Sequence, residues 1–382
     1  MIHTLWLVSW YPSKASSQNG DFIQRHARAV LRFANVYVLH VVPYTESKTD
    51  IQQQANLTEE IVYYKKNGNS WMSKLFSFCR YIYLYQKHIR HYIKTYGKPN
   101  VVHVHISMRA GLLALWLKKE YHIPYVVTEH WTLFTQERKN NFLRKNFLFK
   151  YFTKKIFKHA VAILPVSNSL GKSIQQMVIN IPFTKIPNVV NDDFYFKKME
   201  ENLPFTFIHV SSLNELKNPK GIIRAFAEVL KTHPNIRLKI VGNDFDNLIK
   251  YVNKLKIPND KIIFTGEVSN EQVAIEMQAA HAFVLFSQAE TFGCVIVESL
   301  CCGNPVIATD VGGVSEQLDD TNSILIPAND EYALVAAMKN MIENYAQYDR
   351  EKIAERAKAL YNYDVVGKQI VEVYQSVIGH YK

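Results

Sequence analysis

Two glutamates in the second half of the chain are placed to bind several hydroxyl groups. Glu290 and Glu298 are separated by seven residues, the first in a loop after an apolar run and the second on a predicted helix. Ionised carboxylates only accept hydrogen bonds, so such a pair can bind hydroxyls of a sugar and of a ribose. The free amide groups where the helix begins form a site for a phosphate. The residues at that turn are Thr291, Phe292, Gly293 and Cys294.

A second set of candidate residues is rich in histidine. His103 and His105 fall on one face of a predicted strand, because side chains alternate along a strand. An H-x-H pair at a strand end can hold a metal ion, and Glu129 or His130 could complete the ligand set. A metal-dependent hydrolase is therefore one function that the sequence allows.

The charge of the chain is concentrated in its first half. The 382 residues carry a formal net charge of +11, with 28 basic and 11 acidic residues in 1–200 against 17 and 23 in 201–382. Basic and aromatic residues are interleaved in two segments, 71–98 and 138–158. Such segments can bind an anionic bilayer or a nucleic acid. Because no nucleic-acid motif is recognised, we expect an anionic membrane surface and no nucleic acid.

The elements that must position these residues follow an α/β pattern. Short, nearly continuous apolar runs alternate with longer helical patterns in both halves, which is typical of parallel strands covered on both faces. The pattern lapses between about 188 and 203, where the net charge also changes sign. We expect two doubly wound parallel-sheet domains, 1–196 and 197–360, with a ligand in the cleft between them.

The sequence also favours a cytoplasmic protein. The N-terminus predicts a first strand and not a signal peptide, and no run of about 18 apolar residues occurs. Cys301 and Cys302 are neighbours that cannot form an ordinary disulfide with each other, which fits a reducing compartment.

These motifs resemble a known family. The segment Glu290 to Glu298 resembles the E-x7-E element of the retaining glycosyltransferases of family 4, which have the GT-B fold. The segment 302–313 resembles the family's small-Gly-x-Pro-Val strand and Gly-Gly turn. The resemblance implies two Rossmann-like domains facing a central cleft, the first binding the acceptor and the second the nucleotide-sugar donor. The final segment, 361–382, resembles the helix that crosses back onto the first domain in this fold.

The resemblance also assigns donor-binding residues. Lys217 matches the lysine that binds the donor diphosphate, and Ser212 stands where the family usually has an arginine. We expect Lys220 or a basic residue of the first domain to compensate for that missing cation. Gly242 matches a donor-side glycine. Asp244-Phe245-Asp246 spells a D-x-D motif, which we interpret as loop residues and not as a metal site.

In the first half, the resemblance points to the loop after the first strand and to one histidine. Asn19, Gly20 and Asp21 occupy the position of the family's glycine-rich loop, beside the donor phosphate and the acceptor. His130 matches a histidine near the transferring sugar. The implied catalytic residues are His130, Glu290 and Lys217, with Glu290 positioning the donor sugar and Glu298 the ribose.

The implied activity is that of a retaining, hexosyltransferase-like enzyme that needs no metal and no cofactor. A UDP- or GDP-sugar would be the co-substrate, and a glycan or lipid-linked glycan the acceptor. The expected pathway is the synthesis of lipopolysaccharide, capsule or exopolysaccharide. The expected location is the cytoplasm, with peripheral association at the inner face of the cytoplasmic membrane. The alternatives are the metal-dependent hydrolase and a non-enzymatic nucleic-acid-binding protein.

Overall fold

The chain forms two structural units. The computed structural model describes residues 1–66, 68, 70–200, 203–243 and 246–381. Unit 1 comprises Met1–Val189 and Tyr363–Lys382, and unit 2 comprises Val190–Asn362. The units therefore divide at Val189/Val190 and Asn362/Tyr363, close to the boundaries at 196/197 and 360/361 that the composition suggests. The segment after Val189 belongs to unit 2 because the Val190 amide donates to the Tyr361 carbonyl at 2.9 Å.

Unit 1 is built on a seven-stranded sheet with the order β3-β4-β2-β1-β5-β6-β7. Its strands are β1 (His3–Val8), β2 (Asn35–Tyr44), β3 (Lys48–Gln54), β4 (Leu57–Lys65), β5 (Val101–His105), β6 (Tyr125–Glu129) and β7 (Ala162–Pro165). Its helices are α1 (Asp21–Val30), α2 (Trp71–Tyr96), α3 (Ala110–Tyr121), α4 (Phe147–His159), α5 (Asn168–Met177) and α12 (Tyr363–Tyr381). Every residue of β5 and β6 is buried, as expected for parallel strands covered on both faces.

Unit 2 contains a six-stranded parallel sheet with the order β10-β9-β8-β11-β12-β13. Its strands are β8 (Phe205–Val210), β9 (Ile236–Val241), β10 (Ile262–Gly266), β11 (Ala282–Leu285), β12 (Val306–Thr309) and β13 (Ser323–Ile326). Its helices are α6 (Pro219–Leu230), α7 (Asp246–Lys254), α8 (Asn270–Gln278), α9 (Cys294–Cys301), α10 (Glu331–Glu343) and α11 (Arg350–Tyr361).

The predicted class of two doubly wound α/β sheets is confirmed, with one exception at an edge. The strand β3 pairs antiparallel with β4, so the sheet of unit 1 is not purely parallel. Neither strand was expected, because β3 reads Lys-Thr-Asp-Ile-Gln-Gln-Gln and lacks an apolar run. A polar edge strand of this kind discourages pairing with other chains.

Strand order reverses at the first strand of each unit. In unit 1, β1 lies between β2 and β5, and in unit 2, β8 lies between β9 and β11. Loops leave the carboxyl ends of such neighbouring strands in opposite directions and open a crevice, which is where ligands bind in doubly wound folds. The crevices to inspect therefore lie after β1 and β5, and after β8 and β11.

The helix α12 completes unit 1. Its buried residues Val366, Ile370 and Tyr374 join the same hydrophobic core as Trp6 of β1. Close packing on α1 depends on Gly367, where a Cβ atom would lie 2.3 Å from the Ala29 carbonyl oxygen. The end of the chain is thus an integral part of the unit that holds the first strand.

Replacing Gly367 with alanine is expected to destabilise unit 1. Overpacking of this kind typically costs about 1–3 kcal/mol, which lowers the unfolding temperature by several degrees. The matched control is Gly379→Ala in the same helix, where a Cβ atom meets nothing within 4 Å. The free energy of unfolding of the Gly379→Ala protein should rise by up to about 1 kcal/mol, because alanine has a higher helix propensity than glycine. All tryptophans of the chain lie in unit 1, so tryptophan fluorescence during thermal unfolding measures both variants. A Gly367→Ala protein as stable as Gly379→Ala would contradict the packing described here.

Candidate functional site

In unit 2, the loops after β8 and β11 meet through Lys217 and Glu290. The Lys217 ammonium forms an ion pair with Glu290 Oε1, and the side chain of Glu290 is only 8% exposed. The Ser287 hydroxyl donates to the same carboxylate oxygen at 2.9 Å. The backbone also joins the two loops, since the Gln288 amide donates to the Leu216 carbonyl at 2.7 Å. Two residues selected from distant parts of the sequence therefore share one site.

The loop that carries Glu290 leads into α9. Gly293 is the N-cap of this helix and has a left-handed backbone with φ of +80°, which favours glycine. The N-terminus of a helix is a general binding site for an anion, and glycine places no side chain at this one. Phe292 is 3% exposed and packs edge-on against Tyr361 at a centroid distance of 5.9 Å. Thr291 and Cys294 are partly buried beside it.

Several residues that the sequence did not reveal hold this loop in place. The Thr309 hydroxyl donates to the Ser287 carbonyl at 2.7 Å, and the Gln317 amide donates to the Phe292 carbonyl. Gly312 has a φ of +55°, and a Cβ atom there would lie 1.8 Å from the Glu290 carbonyl oxygen. The Gly-Gly turn thus allows a close backbone approach to the Glu290 loop. Only this spatial contact shows why Thr309 and Gln317 matter, since both are distant from Glu290 in sequence.

Glu298 lies within α9, where it is 5% exposed. Burial raises the pKa of the Cys301 thiol to about 12, and the negative charge of Glu298 is a second, smaller cause of this rise. Cys301 therefore remains a protonated thiol at neutral pH and is not a nucleophile.

The other predicted donor residues are more dispersed. Ser212 is exposed, and its hydroxyl accepts a hydrogen bond from the Asn214 side-chain amide at 2.9 Å. A Cβ atom at Gly242 would lie 2.0 Å from the Ser211 carbonyl oxygen, so glycine allows the ends of β8 and β9 to approach. Lys220 places its ammonium over the Tyr251 ring, 5.6 Å from the centroid, and not beside Glu290. Asp244 and Phe245 of the D-x-D motif lie outside the described residues.

In unit 1, the loop after β1 ends at the start of α1. Gly20 is the N-cap with φ of +80°, and a Cβ atom there would lie 2.7 Å from the Trp10 carbonyl carbon. Asn19 is exposed, whereas the Asp21 carboxylate forms an ion pair with the buried Arg25. Of the three predicted loop residues, Gly20 and Asp21 thus have clear structural roles.

Three histidines from separate elements form a buried cluster in the same unit. His26 lies on α1, His105 ends β5, and His130 follows β6. His105 Nδ1 lies 3.4 Å from His130 Nε2. The ring of His26 lies 5.9 Å from that of His105 and 5.6 Å from that of His130. Burial is the main cause that lowers the pKa of all three imidazoles, that of His26 to about 4. They are therefore neutral at physiological pH.

Two neighbours of the cluster have other partners. His103 Nδ1 lies 2.5 Å from the Tyr374 hydroxyl, and His103 Nε2 lies 2.6 Å from Thr128 Oγ1. The Glu129 carboxylate accepts hydrogen bonds from the amides of Ser107, His130 and Trp131 at 2.9, 3.1 and 3.1 Å. These contacts remove His103 and Glu129 from the ligand set that a hydrolase would need.

Comparison with family models covers most of the chain. Residues 191–360 match the model described as glycosyl transferases group 1, and residues 36–194 match that of glycosyltransferase family 4. These two matches correspond closely to unit 2 and to most of unit 1.

Individual proteins agree with the family matches. The N-acetyl-alpha-D-glucosaminyl L-malate synthase of Bacillus anthracis is 26% identical over 70% of this chain and 75% of its own length. The Bacillus subtilis protein TuaC, whose name describes a teichuronic acid biosynthesis glycosyltransferase, is 24% identical over 91% of this chain and 90% of its own. The crystal structure of Anabaena HepE in complex with UDP superposes with a TM-score of 0.75 at 16% identity, covering 98% of this chain and all of that one.

The buried His209 makes the stability of unit 2 depend on pH. Its Nδ1 donates to the Val284 carbonyl at 2.8 Å, and burial lowers its pKa from 6.5 to about 4. Between these values the unfolded chain binds a proton that the folded chain does not, so stability is present above pH 6.5 and is lost as the pH falls towards 4. Replacing His209 with glutamine should remove a slope of up to about 1.4 kcal/mol per pH unit.

The measurement is urea unfolding at pH 7, 6 and 5, followed by far-UV circular dichroism. Unit 2 contains no tryptophan, so its unfolding does not change tryptophan fluorescence. An unfolding transition that appears in circular dichroism but not in tryptophan fluorescence therefore reports on unit 2. The readout is the difference between the pH slopes of wild type and His209→Gln. Parallel pH profiles for wild type and His209→Gln would show that His209 does not titrate as described.

Proposed function

The chain belongs to family 4 of the glycosyltransferases, and we propose that it transfers a hexosyl group from a nucleotide diphosphate sugar with retention of configuration. The observation that carries this proposal is the Lys217–Glu290 ion pair at the loop that opens α9. It combines a cation for a diphosphate, a carboxylate for sugar hydroxyls and the N-terminus of a helix for phosphate oxygens. These are the groups that a nucleotide-sugar donor requires.

The electrostatic contribution comes from Lys217 and the first-turn amides of α9. Negative charge grows on the leaving diphosphate as the bond to the sugar breaks, and fixed positive groups at that position lower the barrier. Glu290 keeps the ammonium of Lys217 in place before the donor binds, and afterwards its carboxylate can accept hydrogen bonds from the donor sugar. Glu298, one turn further along, would bind the ribose hydroxyls.

His130 is the group from unit 1 that we assign to the reaction. Because burial lowers its pKa, its imidazole is neutral and acts as a hydrogen-bonding group, not as a cation. It would orient the transferring sugar or the attacking hydroxyl. Asn19, Gly20 and Asp21 would contribute to binding of the donor phosphate and the acceptor.

We further propose that transfer requires no metal ion and no cofactor. One ammonium and a row of helix amides supply the positive field that a divalent cation supplies in other transferases. Purified enzyme should therefore keep its activity in excess chelator. Loss of activity there, restored by Mg²⁺ or Mn²⁺, would refute this part of the proposal.

The donor is expected to carry UDP or GDP. HepE, which shares the fold, was solved with UDP, and this favours UDP as the first donor base to test. Thermal unfolding in a panel of UDP- and GDP-sugars identifies the donor, since a ligand at 100 times its dissociation constant stabilises the native state by about 2.7 kcal/mol. The anomeric configuration of the product, determined by NMR, then tests retention.

The acceptor that we propose is a glycan or lipid-linked glycan of a surface polysaccharide. The name of TuaC, a relative across nearly the whole chain, links that protein to teichuronic acid synthesis. Lipopolysaccharide, capsule or exopolysaccharide assembly remain the pathways expected from the sequence. Such acceptors are built at the cytoplasmic face of the membrane, so the enzyme would be cytoplasmic and peripheral.

The surface of unit 1 supports this location. On α4, Phe147 is 76% exposed and Leu148 is 63% exposed, next to the basic Lys150, Lys154 and Lys155. The start of α2 is similar, with Trp71 at 74% exposed. Aromatic side chains beside lysines suit an anionic bilayer surface. Among the described helices, none is long and apolar enough to cross a membrane.

Replacing Lys217 with methionine is expected to lower kcat by about 10²–10³-fold, the usual cost of losing one preorganised charge-stabilising group. Lys220→Met is the matched control and should change kcat by less than about 10-fold, because Lys220 lies over Tyr251. Steady-state kinetics with the identified donor measure both variants. Equal losses would show that Lys220 replaces the missing arginine at position 212 after all.

Replacing Lys150, Lys154 and Lys155 together with glutamine should weaken binding to anionic vesicles. Each basic residue near such a surface contributes about 1 kcal/mol, so the expected loss is roughly 100-fold at low salt. A triple glutamine variant at Lys250, Lys254 and Lys256 of unit 2 changes the net charge equally and should bind like wild type. Vesicle flotation measures the difference, and equal weakening in both triple variants would exclude a localised membrane surface.

A further inference from the structure

The histidine cluster of unit 1 has a property that sugar transfer does not use. His26, His105 and His130 each present one ring nitrogen, and these three nitrogens lie within 4.8 Å of one another. The side chains come from α1, β5 and the end of β6, so the cluster is fixed by three packed elements. His26 and His105 are completely buried, and His130 is 6% exposed.

The hydrogen bonds of His26 define which of its nitrogens is available. Its Nε2 lies 2.9 Å from the Pro187 carbonyl oxygen, which can only accept a hydrogen bond. The proton of the neutral ring therefore lies on Nε2, and Nδ1 carries a lone pair. Within the part of the chain that the structure describes, His26 Nδ1 has no hydrogen-bond partner. A backbone carbonyl that fixes the tautomer in this way is the usual outer partner of a metal-binding histidine.

The distance between the other two rings suits an ion better than a hydrogen bond. His105 Nδ1 and His130 Nε2 are 3.4 Å apart, beyond the usual range of an N–H···N contact. Two nitrogens bound to one tetrahedral Zn²⁺ at about 2.0–2.1 Å are separated by about 3.4 Å. The second nitrogen of His105, Nε2, also lacks a partner among the described residues. It can hold the ring proton while Nδ1 faces the cluster.

The chemistry of the cluster selects the class of ion. Neutral imidazole is the ligand form, and three of them suit a borderline transition metal such as Zn²⁺. Hard cations such as Mg²⁺ require oxygen ligands. The nearest carboxylate in sequence, that of Glu129, already accepts three backbone amides.

We propose that His26, His105 and His130 form a transition-metal site that binds Zn²⁺ with three histidine ligands and one open position. The ion is not the cofactor of the transfer reaction. Its binding to His130 Nε2 fixes the position and the tautomer of the ring that we assign to transfer, and so inhibits transfer, a consequence that rests on the proposed function.

The first test measures binding without any reference to activity. Chelator-treated full-length protein is titrated with Zn²⁺ by calorimetry and with Co²⁺ by visible absorption, where four-coordinate Co²⁺ gives intense bands. Wild type is expected to bind one tight equivalent of Zn²⁺ and to develop those bands. His26→Gln should lose that equivalent, with a weakening greater than the roughly 10–100-fold that outer-shell changes cause. Its amide can still donate to the Pro187 carbonyl, which protects the fold.

Two further variants keep this test decisive. His105→Asn removes a second ligand and should also lose the tight equivalent, so a folding defect in one variant does not decide the outcome. His91→Gln removes an exposed histidine of α2 and should bind like wild type. Wild type without a tight equivalent, or equal binding by wild type, His26→Gln and His105→Asn, overturns the site.

The second test concerns inhibition. The ratio of transfer rates with and without one equivalent of Zn²⁺ is measured for wild type and for His26→Gln. The expected result is inhibition of wild type that chelator reverses, and a ratio near one for His26→Gln. Full activity of Zn²⁺-loaded wild type would overturn the inhibition but not the site. Protein without transferase activity under any condition would instead argue against the proposed function, while the binding results would stand.

Discussion

The strand order around β8 is the constraint on which the Lys217–Glu290 site of unit 2 depends. Since β11 pairs directly with β8, on the side opposite β9, the loops after β8 and β11 leave adjacent strand ends. Lys217 lies in the first loop and Glu290 in the second, and their side chains meet although 73 positions separate them. The hydrogen bond from Gln288 to the Leu216 carbonyl fixes the distance between the loops. The ion pair is therefore a product of topology as much as of residue type.

The charges of Lys217 and Glu290 are both largely withdrawn from water. Lys217 is 22% and Glu290 8% exposed, so neither charge is fully hydrated, and removal of one partner leaves the other poorly compensated. On the proposed function, a diphosphate would take the place of Glu290 beside the ammonium, and the carboxylate would then accept hydrogen bonds from sugar hydroxyls. The Ser287 hydroxyl, which donates to Glu290, would hold the carboxylate during that exchange. Donor binding as proposed would therefore substitute one anionic partner of Lys217 for another.

How much the sequence could predict depends on whether a feature is local. The apolar runs predicted the fold class and most of the buried strands, β4 being an exception, and the motif around Glu290 selected the loop and its helix. The polar strand β3 lacks such a run and was missed, because it lies at an exposed edge. Gln317 and His26 were missed for a different reason. Their importance comes from contacts with Phe292 and with the histidine cluster, and no local pattern encodes such distant partners.

The two units also differ in whether their basic side chains have acidic partners. In unit 2, many basic side chains have acidic partners on neighbouring elements, as Arg224 has Glu331 and Lys239 has Glu276. The segment 138–158 of unit 1 contains no acidic residue, so its lysines have no such partner within the segment. Phe157, near the C-terminal end of α4, is buried, whereas Phe147, the first residue of the same helix, is exposed. The helix α4 is therefore anchored at one end and presents apolar and basic groups at the other, and this local excess of positive charge is the feature from which we propose an anionic membrane surface.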